Sequence, residues 1–181
     1  MQACRNTALY RSVLMNIRPC LQYEVGTILE VINDGAEAYR KVIPGDCWKE
    51  PYMTEAELRS EIADGVVFWC AEEAGEFSGV MGLQLVGGVA LIRHSYVRTA
   101  MQGRGIGKAL LQRLLVEAEC PVLAGTWATA EWAIRFYSGM GFTLQSRPKG
   151  EELLRKYWKI PARQVVTSVV LGDARWIAGS V

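Results

Sequence analysis

The chain has 181 residues, half of them hydrophobic and 22% charged, with 20 Lys and Arg against 19 Asp and Glu for a formal net charge of +1. Such a balance excludes wholesale disorder, and near-neutrality excludes a dedicated nucleic-acid binder, whose affinity rests on neutralising phosphates. No apolar run approaches the roughly 18 residues of a membrane span, so no membrane association is expected.

Residues 1–11 carry no period and read as a flexible lead-in to one domain over 12–181. Arg5, Arg11 and Arg18 interrupt the apolar stretch that a signal peptide needs. The acid-free start also has the look of a short mitochondrial-type presequence. Residues 12–18 form a first strand, stopped by Pro19. Over 22–40, Val25, Ile28, Leu29, Ile32 and Ala36 recur at helical spacing, with Gly26 and Gly35 weakening or splitting the helix. Residues 43–53 are a loop with two prolines. Thr54 and Glu57 make a capping box that opens a helix through Ile62, ending near Asp64 and Gly65. Strands at 66–72, 78–86 and 89–97 follow, joined by tight glycine turns, which is an antiparallel meander. A periodic helix over 105–119, a strand over 121–127, a helix over 129–140 and strands over 141–146 and 164–171 complete the chain. The expected fold is α/β (α+β in some schemes), a mixed, mainly antiparallel central sheet with helices on both faces.

Five cysteines (Cys4, Cys20, Cys47, Cys70, Cys120) nowhere make a C-x-x-C pair. They read as reduced thiols of a cytoplasmic protein, packed as small hydrophobes, with Cys4 and Cys47 open to oxidation. His94 is the single histidine, so no metal site is expected.

The most informative stretch runs from Val97 to Leu111. A strand ends, glycines crowd a turn, and a helix begins, so free N–H groups and the positive helix end meet with Arg104 and Lys108 at a phosphate-sized site. It is no triphosphate loop: Gln102 replaces the first glycine of G-x-x-x-x-G-K-[ST], and Ala109 the hydroxyl residue. G-x-G-x-x-G fails as well, with Lys108 or Leu110 at the third glycine. What fits is Gln102-x-x-Gly105-x-Gly107. This stretch resembles the coenzyme A pyrophosphate loop of the GNAT superfamily of N-acetyltransferases. The run Ala133-Ile-Arg-Phe-Tyr-Ser-Gly-Met-Gly-Phe142 is similar to that family's second signature.

The resemblance implies an acetyl-CoA-dependent acetyl transfer to a primary amine of a small molecule or peptide, by direct attack on the thioester. It implies that Gln102, Gly103, Arg104, Gly105, Ile106, Gly107 and Lys108 hold the pyrophosphate, and that the main chain of Tyr96 and Val97 pairs with the pantetheine arm and acetyl oxygen. Tyr137 stands at the family's general-acid position. His94 stands where many relatives carry a proton-relaying glutamate, and a water chain is the alternative base. Arg93 should point to the opposite face unless a bulge intervenes. Relatives often have Asn where this chain has Ala130, with Thr129 and Glu131 as substitutes or helix caps. Trp48, Tyr52 and Trp69 are candidates for an aromatic acceptor pocket, and Asp46, Glu50 and Glu55 for attracting a cationic amine. The strand at 164–171 reads either as site wall or as an edge that pairs two copies into a homodimer. A longer acyl-CoA donor, or a CoA-binding regulatory module without catalysis, would use the same fold.

Overall fold

The computed structural model describes residues 15–179; the lead-in, the first part of the first strand and Cys4 lie outside them. A seven-stranded sheet runs in the order β1-β2-β3-β4-β5-β7-β6. β2 (Val66–Glu73), β3 (Glu76–Val86) and β4 (Val89–Val97) form the expected antiparallel meander, and β1 (Asn16–Pro19), separated from it in sequence by two helices, adds antiparallel to β2. β5 (Val122–Trp127) lies parallel to β4, and β7 (Ser168–Gly172) pairs antiparallel with both β5 and β6 (Thr143–Leu144).

Side-chain alternation divides the core. Trp69, Ala71, Met81, Ala90 and Ile92 face α3 (Ile106–Glu117) and α4 (Glu131–Gly139). Phe68, Cys70 and Val80 face α1 (Val25–Ala36) and α2 (Glu55–Ala63). Leu91 and Leu123 pack under α5 (Arg147–Tyr157) and α6 (Ala162–Thr167). A short helix α7 (Ala174–Ala178) is N-capped by Asp173, whose Oδ1 accepts from Trp176 N and, at 3.0 Å, from Val122 N. Helices thus cover both faces, as the periodicities require.

β4 breaks its own alternation. Gly82 pairs with Arg93 and Val80 with Tyr96, so three steps on β4 oppose two on β3. The extra residue is accommodated at His94, whose φ of +46° is left-handed. Before it, even-numbered Ala90 and Ile92 face α3; after it, even-numbered Tyr96 faces α1. α1 lies close on this shifted end. A Cβ added at Gly35 would sit 2.9 Å from Tyr96 Cβ and 3.0 Å from the Val97 carbonyl oxygen. That contact, rather than a helix break, explains the glycine; the helix is continuous to Ala36 and a 3-10 turn follows at Glu37–Tyr39.

The C-terminal third departs from expectation. Residues 147–163 contain α5 and the start of α6, for which no element is expected. The expected strand at 164–171 is helical in its first half. Pro161 opens that turn, Thr167 Oγ1 donates back to the Arg163 carbonyl at 2.8 Å, and Val165 is buried against α5 and Trp158. Packing overrides the strand preference of the β-branched run. β7 is also no edge: it lies between β5 and β6. The exposed apolar edge on which the homodimer expectation stood is therefore absent at that strand. Cys70 is not isolated: its Sγ donates to the Arg18 carbonyl at 3.6 Å, between the paired strands β2 and β1. Among the described residues, no helix is long and apolar enough to cross a membrane.

Candidate active site

The turn into α3 is anchored before it becomes glycine-rich. Arg98 Nε donates to the Phe77 carbonyl at 2.8 Å, and Thr99 N to Asp34 Oδ2 at 2.6 Å, which ties the end of β4 to α1. A 3-10 turn at Thr99–Met101 follows, and Gln102 Nε2 reaches back to the Val97 carbonyl at 3.3 Å. Gly103 (φ +77°) and Gly105 (φ +81°) both take left-handed conformations that a side chain would strain. The first backbone bond of α3 runs from Ala109 N to the Gly105 carbonyl at 3.0 Å. The N–H groups of Ile106, Gly107 and Lys108 thus precede any intrahelical acceptor. Arg104 and Lys108 are exposed and make no ion pair with a described residue. Free donors, the helix dipole and two uncommitted cations fit a pyrophosphate. Ile106 contributes only its backbone, because its side chain is buried in the core.

The second half of the site opens where the sheet parts. β4 and β5 pair only at Ala90–Val122, Leu91–Leu123 and Ile92–Ala124. Just past that ladder lies a cavity of about 440 Å³, lined on one side by Ile92 to Tyr96 and on the other by Gly125 to Trp127, with Tyr137 of α4 inside. His94 and Tyr137 therefore share one chamber.

The bulge turns Arg93 and His94 toward the same partner. Arg93 Nη2 donates to Glu61 Oε2 at 2.6 Å, and His94 Nε2 lies 2.7 Å from that oxygen. The exception to strict alternation therefore applies: with a bulge present, Arg93 and His94 meet the same carboxylate. Burial raises the Glu61 carboxyl, but the hydrogen bond and charge of His94, together with Arg93, outweigh it and hold the group below the ordinary carboxylate range. An ionised carboxylate only accepts, so the His94 Nε2 that faces it carries a proton and donates. The imidazole also stacks on Phe68, with ring centroids 5.9 Å apart. Tyr137 is 5% exposed. Burial pushes its phenol above the usual value, against a smaller downward pull from a hydrogen bond with Ser95. Phe136 and Phe142 hold the ring on two sides.

The sequence model of the acetyltransferase (GNAT) family matches residues 31–142, more than half of the chain. The chain belongs to the GNAT family. No curated protein matches its sequence. Solved structures share the fold at low identity. A GNAT-family acetyltransferase from Staphylococcus aureus Mu50 is 18% identical with a TM-score of 0.66, covering 88% of this chain and 98% of its own. PaiA N-acetyltransferase from Thermoplasma acidophilum, in complex with coenzyme A, is 16% identical with a TM-score of 0.64 and the same coverage. The ribosomal-protein-S18-alanine N-acetyltransferase of Escherichia coli is 15% identical with a TM-score of 0.63, covering 88% and 93%.

The GNAT chain departs from the family pattern at the start of α4. Ala130 is fully buried beside Ile43 and Trp127. Its neighbours do not replace an asparagine: Thr129 Oγ1 donates to the Val42 carbonyl at 2.8 Å, Glu131 pairs with Arg135, and no side chain caps the helix.

On the acceptor side, one of three expected aromatics lines the cavity. Tyr52 does, Trp48 stacks behind it, and Trp69 lies in the α3-side core with Arg113 over its ring. The expected acids are spent elsewhere: Asp46 pairs with Arg163, Glu50 with Arg40 and Glu55 with Arg59. The carboxylates that line the chamber are Glu57 and Glu61, on the inner side of α2. Their signal was available, because four-residue spacing puts both on one helical face. The side chain of Tyr96, expected to act only through its backbone, also forms cavity wall and donates from its hydroxyl to Tyr52 at 2.9 Å. Leu154, Trp158 and Lys159 close the far side. Leu153, Leu154 and Tyr157 recur at helical spacing after Pro148, which is the sequence signal of α5. Cys47 lines the cavity too, and burial pushes its thiol up, away from reactivity. Among the described residues, no group of three or more His, Cys, Asp or Glu is placed to hold a metal ion.

Proposed function

We propose that the protein transfers an acetyl group from acetyl-CoA to a primary amine, with Tyr137 as general acid and His94 as general base. The observation that carries the reading is the convergence of Tyr137 and the His94–Glu61 pair on one cavity at the end of the β4–β5 ladder. Acetyl-CoA supplies an activated thioester carbonyl. The first turn of α3, with Gln102, Gly103, Arg104, Gly105 and Lys108, binds the pyrophosphate, and the main chain of Tyr96 and Val97 orients the thioester arm. His94 Nδ1 takes one proton from the incoming ammonium and passes it to solvent. The amine lone pair then forms the C–N bond while the C–S bond breaks with its electrons on sulfur. Tyr137 gives its hydroxyl proton to that sulfur and regains one from the nitrogen, which leaves an amide, a thiol and one released proton. Burial of Tyr137 keeps that proton in place until negative charge develops beside it.

The test is free-thiol release from acetyl-CoA in the presence of primary amines. Tyr137→Phe is expected to lower kcat about 100-fold, the lower end of general-acid contributions. Unchanged turnover across the pH range takes Tyr137 out of the mechanism. Absence of amine-dependent thiol release from the wild type leaves a CoA-binding module.

A further inference from the structure

We infer that the acceptor is a small arylalkyl monoamine: one primary amine on an uncharged, ring-bearing body. The inference rests on the acetyl-transfer reading and adds its substrate class.

Charge accounting comes first. Of the ionic groups lining the cavity, Glu57 is engaged by Lys49, Glu61 by Arg93 and His94, and Lys159 by Asp64 at 2.9 Å. A second ammonium, as in a polyamine, would enter without a free carboxylate. The α-carboxylate of an amino acid would find each cation already matched. Only Glu61, with Arg93 and His94, is substantially shielded from water, and its partners leave it no capacity for a second ammonium; the outer pairs of Glu57 and Lys159 are exposed and leave no unmatched charge to favour a second ionic group. A single amine that gives up its proton to His94 needs no such partner.

Shape comes second. Tyr96 stands between Tyr39 and Tyr52, with ring centroids 5.9 Å away on each side and interplanar angles of 77° and 73°. The hydrogen bond from Tyr96 to Tyr52 fixes the pair. Phenol rings held edge to face present the arrangement that another aromatic ring prefers to join.

Closure comes third. Arg163 Nε donates to Asp46 Oδ2 at 2.7 Å and Lys159 Nζ to Asp64 Oδ2 at 2.9 Å. These two contacts tie the segment from α5 into α6 to the segment around α2, and both segments wall the cavity. A polypeptide substrate needs an open groove along which its chain can run. A chamber of about 440 Å³, flanked by segments held to each other in this way, takes a small molecule beside the thioester.

The experiment compares kcat/KM by thiol release at saturating acetyl-CoA for phenethylamine and tryptamine, against spermidine, L-lysine and a pentapeptide with a free N-terminus. The arylalkylamines are expected to exceed the others at least tenfold. Tyr52→Ala is expected to raise the KM for phenethylamine at least fivefold with the KM for acetyl-CoA unmoved, and Tyr52→Phe to restore most of that loss. Equal or faster turnover of spermidine, lysine or the peptide overturns the substrate class and leaves the transfer reading intact. No amine-dependent thiol release with any of these acceptors, in protein whose melting temperature acetyl-CoA raises, overturns the transfer reading and the substrate class with it.

Discussion

Glu61 shows how one side chain links stability to the site. Its carboxylate receives Arg93 and His94, both brought to it by the left-handed residue in β4. A carboxyl held below its unfolded value of about 4.3 contributes stability that is fully present above that pH and is lost as pH falls through the lower, folded value. Glu61→Gln is therefore expected to cost about 2 kcal/mol at neutral pH, the scale of hydrogen bonds to charged groups. The gap between wild type and variant should narrow as pH falls below about 4.3 and through the lower, folded value of Glu61. Urea titrations at several pH values measure it, and a gap independent of pH down to 3 would remove the ionic role of Glu61. At this scale the sequence was half legible. His94 and Tyr137 announce themselves by type and motif, but Glu61 comes from a distant helix, and the positive φ that aims His94 leaves no mark in residue type.

Among the elements, α1 makes the sharpest case for local preference yielding to packing. By propensity, Gly35→Ala should stabilise the helix by up to about 1 kcal/mol. The added Cβ meets Tyr96 Cβ at 2.9 Å and a backbone oxygen at 3.0 Å, neither of which is the free end of a flexible side chain. Overpacking of this kind costs about 1–3 kcal/mol, so the substitution is expected to destabilise by about 1–2 kcal/mol net. It should also weaken acetyl-CoA binding, because relief requires moving Val97 at the entry to the glycine turn. Calorimetric melting and the KM for acetyl-CoA read both effects; a raised melting temperature would mean that α1 does not press on β4. The elements that sequence made legible have strong periods or caps: the meander, α3, and α2 with its Thr54–Glu57 box. The ones it hid are α5, opened by a proline, and α6, whose Val165, Val166 and Thr167 favour strand. Both are set by burial against β7 and β5, which local composition does not encode.

For the molecule as a whole, the glycine turn into α3 sits where three parts of the fold meet. Asp34 of α1 holds Thr99, Phe136 of α4 packs 3.7 Å from the position a Gly107 Cβ would take, and Ile106 enters the main core. A ligand fixed at this junction stabilises the native state and not the unfolded chain, so acetyl-CoA should act on the global transition. At about 100 times its dissociation constant the gain is about 2.7 kcal/mol. For a chain of this size each kcal/mol raises the melting temperature by about 2–4 °C, which gives an expected rise of roughly 5–10 °C. Arg104 and Lys108 are exposed, so their share is Coulombic and screened: replacing both by Ala should leave the melting temperature of the free protein nearly unchanged. The same double variant should lose about 1–2 kcal/mol of the ligand-induced gain at low salt, and less at 0.5 M, where screening already weakens the wild-type interaction. Scanning calorimetry with and without acetyl-CoA at two ionic strengths measures all four quantities. An equal ligand-induced rise in wild type and double variant at low salt would place the diphosphate somewhere other than the start of α3.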